Sequence, residues 1–167
     1  MLKFPEILKN FQVSVNGIGN LGTSKECKLP AIKFKTVEVD NGGIAGSIDV
    51  PTNLDKMEAT FDFADIDPVK MGLVGRFHNV GTLFTFRGSI MQGPIEVPLV
   101  AVLGGSIVEI DPEAKKDNEV KSAFKMSVNT YVLSKAGVEI CRINKLNNEV
   151  IIGGNDLNAI TRANIGG

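Results

Sequence analysis

Apolar and polar residues alternate one by one over several segments of the chain, and this period of two constrains the fold more than any other feature. The segments KMEATFDFA (56–64), TLFTFRGSI (82–90) and SAFKMSVNTYVL (122–133) all show it. Successive side chains of a strand point to opposite faces, so each segment predicts a strand with one dry face and one wet face. This pattern is typical of antiparallel sheets that cover a core on one side.

A longer segment, IEVPLVAVLGGSIVEID (95–111), is apolar on both faces around residues 97–103. That predicts a strand buried on both sides, with a bend or bulge at Gly104–Gly105. Shorter apolar runs between turn residues predict further strands. These are residues 11–15, 26–29, 32–39, 47–50, 138–143 and 150–152.

Two segments have helical signals instead. DPVKMGLVGRF predicts a helix over about 66–77, with Asp67 as N-cap, Pro68 at the first position and Phe77 at the end of an apolar face. NDLNAITRANIGG predicts a short C-terminal helix that is capped by Asn155 or Asp156 and stopped by Gly166. The predicted fold is mainly β: an antiparallel β-sandwich or barrel with one packed α-helix and this second, short one.

Length and charge narrow the class of protein. Residues 1–167 suit one ordinary domain. With 18 basic and 19 acidic residues the net charge is −1, so no overall field attracts nucleic acid or an anionic membrane. The apolar run 97–108 is far shorter than the roughly 20 residues of a membrane span, and the start MLKFPEILKN lacks signal-peptide features. We expect no membrane span and synthesis in the cytoplasm.

Residues for catalysis are scarce. His78 is the only histidine, Cys27 and Cys141 lie far apart in sequence, and no phosphate-binding glycine motif occurs. His78 is interpreted as a surface or helix-capping residue, and the cysteines as reduced and buried thiols. We therefore expect no enzyme activity, metal or cofactor.

The segment VDNGGIAGSIDVP (39–51) combines flexibility with apolar character. It is too rich in glycine for a core strand and too apolar for a solvated linker. We predict that it is an assembly loop that reaches a neighbouring subunit. Its candidate residues are Asn41, Gly42, Gly43, Ile44, Ala45, Gly46, Ile48 and Val50.

The order of these segments resembles the major tail tube proteins of contractile-tailed bacteriophages and of R-type phage-tail-like bacteriocins. The resemblance extends from LKNFQVSVNG through KLPAIKFKTVEVDNGGIAGSIDV, KMEATFDFADIDP and FRGSI. It continues with VPLVAVLGGSIVEIDPEAKKDNEVKSAFKMSVNTYVL and closes with GVEICRINKLNNEVIIGGNDLNAITRANIGG. After the glycine pair the chain departs from the family pattern of Met and then Ala-Pro, since it has Ile44, Ala45 and then Gly46–Ser47.

The resemblance implies a subunit that forms hexameric rings, with its sheets joined into one inner wall and the rings stacked into a tube. It implies as partners the tail sheath protein, a baseplate or tube initiator, the tape-measure protein and a tail terminator, with non-specific passage of DNA in phages. The place of action would be a virion tail or tail-like particle assembled in the bacterial host.

Strand alternation makes Glu58 and Asp62 candidates for the lumen, because a wall poor in Lys and Arg does not hold phosphates. Two alternatives remain open. One is a tube of a secretion system similar to the hemolysin-coregulated proteins, and the other is a monomeric ligand-binding β-barrel such as a lipocalin.

Overall fold

Antiparallel strands form most of the computed structural model, which describes residues 2–76 and 82–167. The first strands are β1 (Glu6–Val15), β2 (Ile18–Gly19), β3 (Ser24–Lys28), β4 (Phe34–Val39), β5 (Ile48–Leu54) and β6 (Met57–Phe63). Helix α1 (Pro68–Met71) follows them. The remaining elements are β7 (Thr82–Gln92), β8 (Ile95–Glu113), β9 (Lys121–Lys135), β10 (Val138–Asn144), β11 (Glu149–Ile152), β12 (Asn155–Asp156) and helix α2 (Ala159–Ile165).

The long hairpin of β8 and β9 takes part in two sheets. In the large sheet the strand order is β12-β11-β10-β9-β8-β7-β1-β2. In the small sheet the order is β3-β6-β9-β8, because β9 pairs with β6 through Ser122–Val128 and with β10 only from Thr130 onward. The predicted mainly β, antiparallel fold is therefore confirmed.

Both sheets bury their apolar faces against one core. The alternation predicted for β6 is confirmed, since its apolar side chains are fully buried and the polar ones between them lie on the outer face. The rings of Phe61 in β6 and Phe84 in β7 are stacked with their centroids 4.5 Å apart. Because β6 and β7 are not hydrogen-bonded neighbours, this pair joins the small sheet to the large sheet.

The predicted bend at Gly104–Gly105 is also confirmed. Gly104 pairs with Thr130 and Gly105 with Val128, so Asn129 of β9 is an extra residue without a partner on β8. A Cβ atom on Gly105 would lie 2.0 Å from the carbonyl oxygen of Ser127. The crossing from one sheet to the other therefore requires a residue without a side chain.

The strand predicted to be buried on both sides is buried fully on one side only. Ala101 and Leu103 of β8 point into the core. On the other face Val100 and Val102 are half-buried, and Val132 of β9 lies directly opposite Val102. The large sheet thus has apolar residues on its outer face as well.

Helix α1 is shorter than the predicted helix over about 66–77. The predicted cap is confirmed, because Asp67 Oδ1 accepts a hydrogen bond from the Val69 amide at 2.9 Å. The helix ends at Gly72 because the chain then turns through Gly75, whose φ of +77° is left-handed and favours glycine. Phe77, the predicted end of this helix, and His78, the expected surface or helix-capping residue, lie outside the described residues.

The C-terminal helix α2 forms and stops at Gly166 with φ +81°, as predicted. Its predicted cap was wrong, since the N-cap is Asn158 and makes no side-chain cap bond. Asn155 and Asp156 instead form β12 and pair with β11, because this edge strand supplies hydrogen bonds that a longer helix would lose.

Lys70 of α1 is a buried charge that ties the helix to the small sheet. Its side chain is 4% exposed, and its ammonium donates to Asp65 Oδ1 at 2.7 Å and to Asn20 Oδ1 at 3.1 Å. The same ammonium lies 4.1 Å from the centroid of the Phe63 ring. The lysine therefore has partners on three sides.

Replacement of this lysine should destabilise the fold. We expect Lys70→Ala to lower the free energy of unfolding by about 1 to 3 kcal/mol, because it leaves the partly buried Asp65 carboxylate without its cation. Urea denaturation measures this change. Lys115→Ala removes an exposed ion pair with Glu113 and should leave the value close to that of the wild type. Equal effects of the two substitutions would contradict a stabilising role for the buried lysine.

Candidate assembly surfaces

Strands β4 and β5 form a two-stranded hairpin that pairs with no other strand in the described part of the chain. We call residues 34–54 the arm. Nearly all its residues are exposed, and only Phe34 and Leu54 at its base pack against the core. A lone two-stranded hairpin is only marginally stable in water, so the arm is built in a way that favours a partner.

One face of the arm is apolar. Val37 lies directly opposite Val50, and Val39 lies directly opposite Ile48, so all four side chains share one face. The exposed fractions are 53% for Val37, 52% for Ile48 and 41% for Val50. Contiguous apolar side chains that remain half-exposed are typical of association surfaces.

The tip of the arm contains most of the predicted assembly loop. The turn over residues 40–47 includes Asn41 to Gly46, and two of its glycines, Gly43 and Gly46, have left-handed φ values of +93° and +102°. Ile44 is 42% exposed at this tip. The predicted loop over 39–51 therefore consists of a tight turn and the first half of β5, which contains Ile48 and Val50.

Sequence reasoning did not name Val37 or Val39 as candidates, although Val39 begins the predicted loop over 39–51. Both share the apolar face with the predicted residues. They were assigned to an ordinary strand, because alternation in FKTVEV is compatible with any half-buried sheet. The signal that could have found them is the register of the hairpin, which pairs each valine with an apolar residue of the other strand.

The outer face of the small sheet is charged, with more carboxylates than lysines. Glu58 and Asp62 of β6 both point to this face, as strand alternation predicts. The carboxylates there are Glu26, Glu58, Asp62, Glu109, Asp111 and Glu113, and the lysines are Lys28, Lys121 and Lys125. The two candidate lumen residues thus lie on one surface, which we call the acidic face.

The two candidate lumen carboxylates of the acidic face have lysine partners. Glu58 lies 2.8 Å from Lys56 and 3.4 Å from Lys125, and Asp62 lies 3.5 Å from Lys121. The hydrogen bond from Lys56, together with the charge of Lys125, lowers the pKa of Glu58. This carboxyl group therefore stays ionised at neutral pH.

Both edges of the small sheet are open in the described residues. Strand β3 has β6 as its only strand neighbour. On the opposite edge, β8 beyond Gly105 has β9 on one side and only an isolated bridge, from Val74 to Ile107, on the other. Pro112 lies on that edge, where its missing amide costs no ladder hydrogen bond.

The edge strands of the small sheet run in opposite directions, since every neighbouring pair is antiparallel. A copy of the sheet placed beside the first would therefore bring β8 and β3 together as an antiparallel pair. Open sheet edges invite such pairing with another chain.

Further apolar side chains are exposed at the two ends of the chain. Leu2 is 82% and Phe4 52% exposed, and in α2 Ile160 is 77% and Ile165 70% exposed. Helix α2 is held in place by Arg162, which pairs with Asp156 and donates to the Asn148 carbonyl oxygen. The C-terminal helix is thus fixed while its apolar side chains face outward.

Other kinds of site have little support in the structure. In residues 2–76 and 82–167 no three His, Cys, Asp or Glu side chains are grouped as a metal site. Cys27 and Cys141 are free thiols, and burial raises the pKa of Cys27 to about 12, so it is not a reactive thiolate. None of the helices in the described part is long and apolar enough to cross a membrane.

Comparisons with known proteins identify the family of this chain. A model of the family described as phage tail tube protein FII matches residues 5–166. A search of curated proteins found no match. Among solved structures, the chain resembles a chain in the cryo-EM structure of an extracellular contractile injection system, described as the PVC sheath/tube terminator in its extended state.

That structural likeness has a TM-score of 0.58 and covers 80% of this chain and 99% of the other, at 8% sequence identity. At this identity it shows a common fold. The family match extends over nearly the whole chain and includes the arm, the small sheet and α2. The chain therefore belongs to the phage tail tube protein FII family, a family of structural tail proteins.

Proposed function

We propose that this protein is the repeating subunit of the inner tube of a contractile phage tail or tail-like particle, where it forms hexameric rings that stack into a hollow tube. The observation that carries this proposal is the small sheet, whose two edge strands run in opposite directions and have no further strand neighbour among the described residues. A subunit needs one pair of complementary surfaces to close a ring and another pair to stack rings, and the small sheet and the arm supply candidates for both.

The ring contact joins β8 of one subunit to β3 of the next. This heterologous contact closes by rotation, and every strand of the closed barrel has an antiparallel neighbour. Six four-stranded sheets, with strands about 4.8 Å apart and tilted by about 40°, close at a diameter of roughly 48 Å between backbones. After side chains are added, such a bore remains wide enough for a DNA duplex.

The arm makes the second contact, with an adjacent subunit. Ile44 and Ile48 are the proposed anchors, and Val37, Val39 and Val50 complete the apolar surface around Ile48. Burial of one such side chain stabilises a contact by about 1.5 to 3 kcal/mol. The contact is repeated around every ring, so the whole interface is strong although each copy is small.

In this arrangement the acidic face lines the lumen. Glu58 and Asp62 would then point into the bore, together with the other carboxylates of the small sheet. Phosphates are bound chiefly by Lys and Arg, whereas carboxylates outnumber lysines on this face and Lys121 and Lys125 are shared with carboxylates, so a passing DNA would not be retained. A density map of the tube with Glu58 and Asp62 on the sheath side would contradict this assignment.

The remaining partners follow from the role of an inner tube. We propose that the tail sheath protein surrounds the tube, that a baseplate or tube initiator starts it and that a tail terminator ends it. The tube would form around a tape-measure protein and, in a phage, conduct DNA. The protein is thus a component of a virion or tail-like particle, which we propose is assembled in the bacterial host cytoplasm.

Electron microscopy of the purified protein tests the proposal. We expect rings and hollow tubes of uniform width at high protein concentration, because both self-complementary surfaces are present on one chain. Sedimentation should show a monomer at low concentration and assemblies of ring size or larger above it. A protein that stays monomeric at every concentration would contradict the proposal and favour a ligand-binding barrel.

A further inference from the structure

The second face of the arm carries an unfavourable pair of charges. Glu38 of β4 lies directly opposite Asp49 of β5, and Asp40 follows at the tip. None of these three carboxylates forms an ion pair with a described residue, and residues 1 and 77–81, which lie outside the described ranges, include no Lys or Arg. Like charges directly opposite each other destabilise a hairpin, so the subunit alone does not benefit from this arrangement.

A groove at the root of the arm has the opposite character. It is lined by Lys28, Lys33 and Lys56 together with Ala31, Asp55 and Glu58. Lys56 is paired with Glu58, whereas Lys28 and Lys33 have no ion pair with any described carboxylate. We call this surface the root groove.

Two further lysines adjoin the root groove. The ammonium of Lys145 donates to the Asp55 carbonyl oxygen at 2.8 Å. Burial lowers the pKa of Lys145, the Asp55 carboxylate acts against this, and the charge of Lys35 lowers the pKa further. The root of the arm therefore holds more positive charge than its own carboxylates neutralise.

The two charged ends are too far apart to neutralise each other within one subunit. Lys33 precedes Glu38 by five residues of extended chain, which span roughly 16 Å. The screening length at physiological ionic strength is about 8 Å. An acidic tip and a basic root on one hairpin instead complement the root and tip of a second copy.

We propose that the face of the arm that carries Glu38 and Asp49 docks into the root groove of a neighbouring copy of this chain. This rests on the proposed function, in which the arm bridges subunits, and it names the surface that the arm reaches. The partner's Lys28 and Lys33 neutralise the Glu38–Asp49 pair, and the apolar face of the arm remains available for the core of the same contact. The direction is heterologous, since each arm gives its tip to one neighbour and its root to another.

A charge-swap experiment tests the docking. The tip variant Glu38→Lys/Asp49→Lys and the root variant Lys28→Glu/Lys33→Glu each place like charges against each other in a uniform assembly. We expect either variant alone to raise the concentration needed for tube formation at least tenfold in low salt. An equimolar mixture of the two should return to within about twofold of the wild-type value, because each tip then meets an oppositely charged root.

Matched controls separate this idea from general effects of charge. The variant Lys3→Glu/Lys116→Glu changes net charge as the root variant does, at exposed lysines outside the root groove, and should form tubes as wild type does. The four-residue combination of both swaps keeps the wild-type net charge and should assemble alone. Thermal unfolding of dilute monomers checks that every variant is folded.

The outcomes distinguish the two proposals. If the wild-type protein forms no rings or tubes, the proposed function fails. If wild type assembles and both swap variants also assemble unaided, the root groove serves another anionic partner and the docking proposal is overturned. The docking proposal is also overturned if the two folded variants do not restore assembly when they are mixed. It is overturned as well if the folded four-residue combination does not assemble.

Discussion

Gly105→Ala is expected to lower the free energy of unfolding by about 3 kcal/mol or more. The added Cβ atom would lie 2.0 Å from the Ser127 carbonyl oxygen and 3.1 Å from the Val128 Cα. Both neighbours are backbone atoms of β9, so relief requires the two long strands to separate. This separation would have to occur where β8 and β9 cross from one sheet to the other.

Urea denaturation of the two proteins measures this effect. Gly42→Ala is a matched control, because Gly42 lies at the tip of the arm with no atom within 4 Å of an added Cβ and without a left-handed φ. We expect the control to stay within about 0.5 kcal/mol of wild type. If Gly105→Ala were as stable as Gly42→Ala, the bulge at Asn129 would be able to move, and the crossing would not depend on glycine.

Ile48→Asp is expected to abolish tube formation while the isolated subunit remains folded. Ile48 is 52% exposed and lies opposite Val39, so a carboxylate at this position is solvated in the monomer and buried only if the arm docks. A loss of about 3 kcal/mol per contact is more than a hundredfold in affinity. Because the contact recurs in every ring, we expect no tubes at concentrations where wild type forms them.

Electron microscopy and sedimentation measure assembly, and thermal unfolding of dilute monomers measures folding. Ile44→Asp, at the tip, should have the same effect if both isoleucines are anchors. Asn118→Asp is the control, since it adds the same charge at an exposed loop position outside the arm. Normal tubes from Ile48→Asp would show that the apolar face of the arm is not an assembly surface.

Much of the fold follows from local pattern. The strands around Phe61, Phe84 and Phe124 are predicted by their alternation because a period of two leaves one way to bury the apolar side. The bend at Gly104–Gly105 is likewise predictable, since paired glycines interrupt an otherwise continuous strand. The predicted helix was too long, because Val69 and Leu73 have helical spacing although Gly72 ends the helix.

The candidate site was only partly predictable. Ile44, Ile48 and Val50 stood out because apolar residues are unexpected beside glycines. Val37 and Glu38 did not, since their roles depend on which residue of β5 lies opposite each of them. Cross-strand register is a property of two segments, and neither strand specifies it alone.

The sequence by itself therefore determined the strands, the buried aromatic faces, the glycine bend and the family to which the chain belongs, because each depends on the order of residues along the chain. Only the tertiary structure decided that β4 and β5 stand apart as an arm, that Glu38 faces Asp49, and that both edges of the small sheet are open among the described residues. These features depend on contacts between residues distant in sequence. Hydrogen bonding between strands and burial against a common core select those contacts, and no local pattern contains that information.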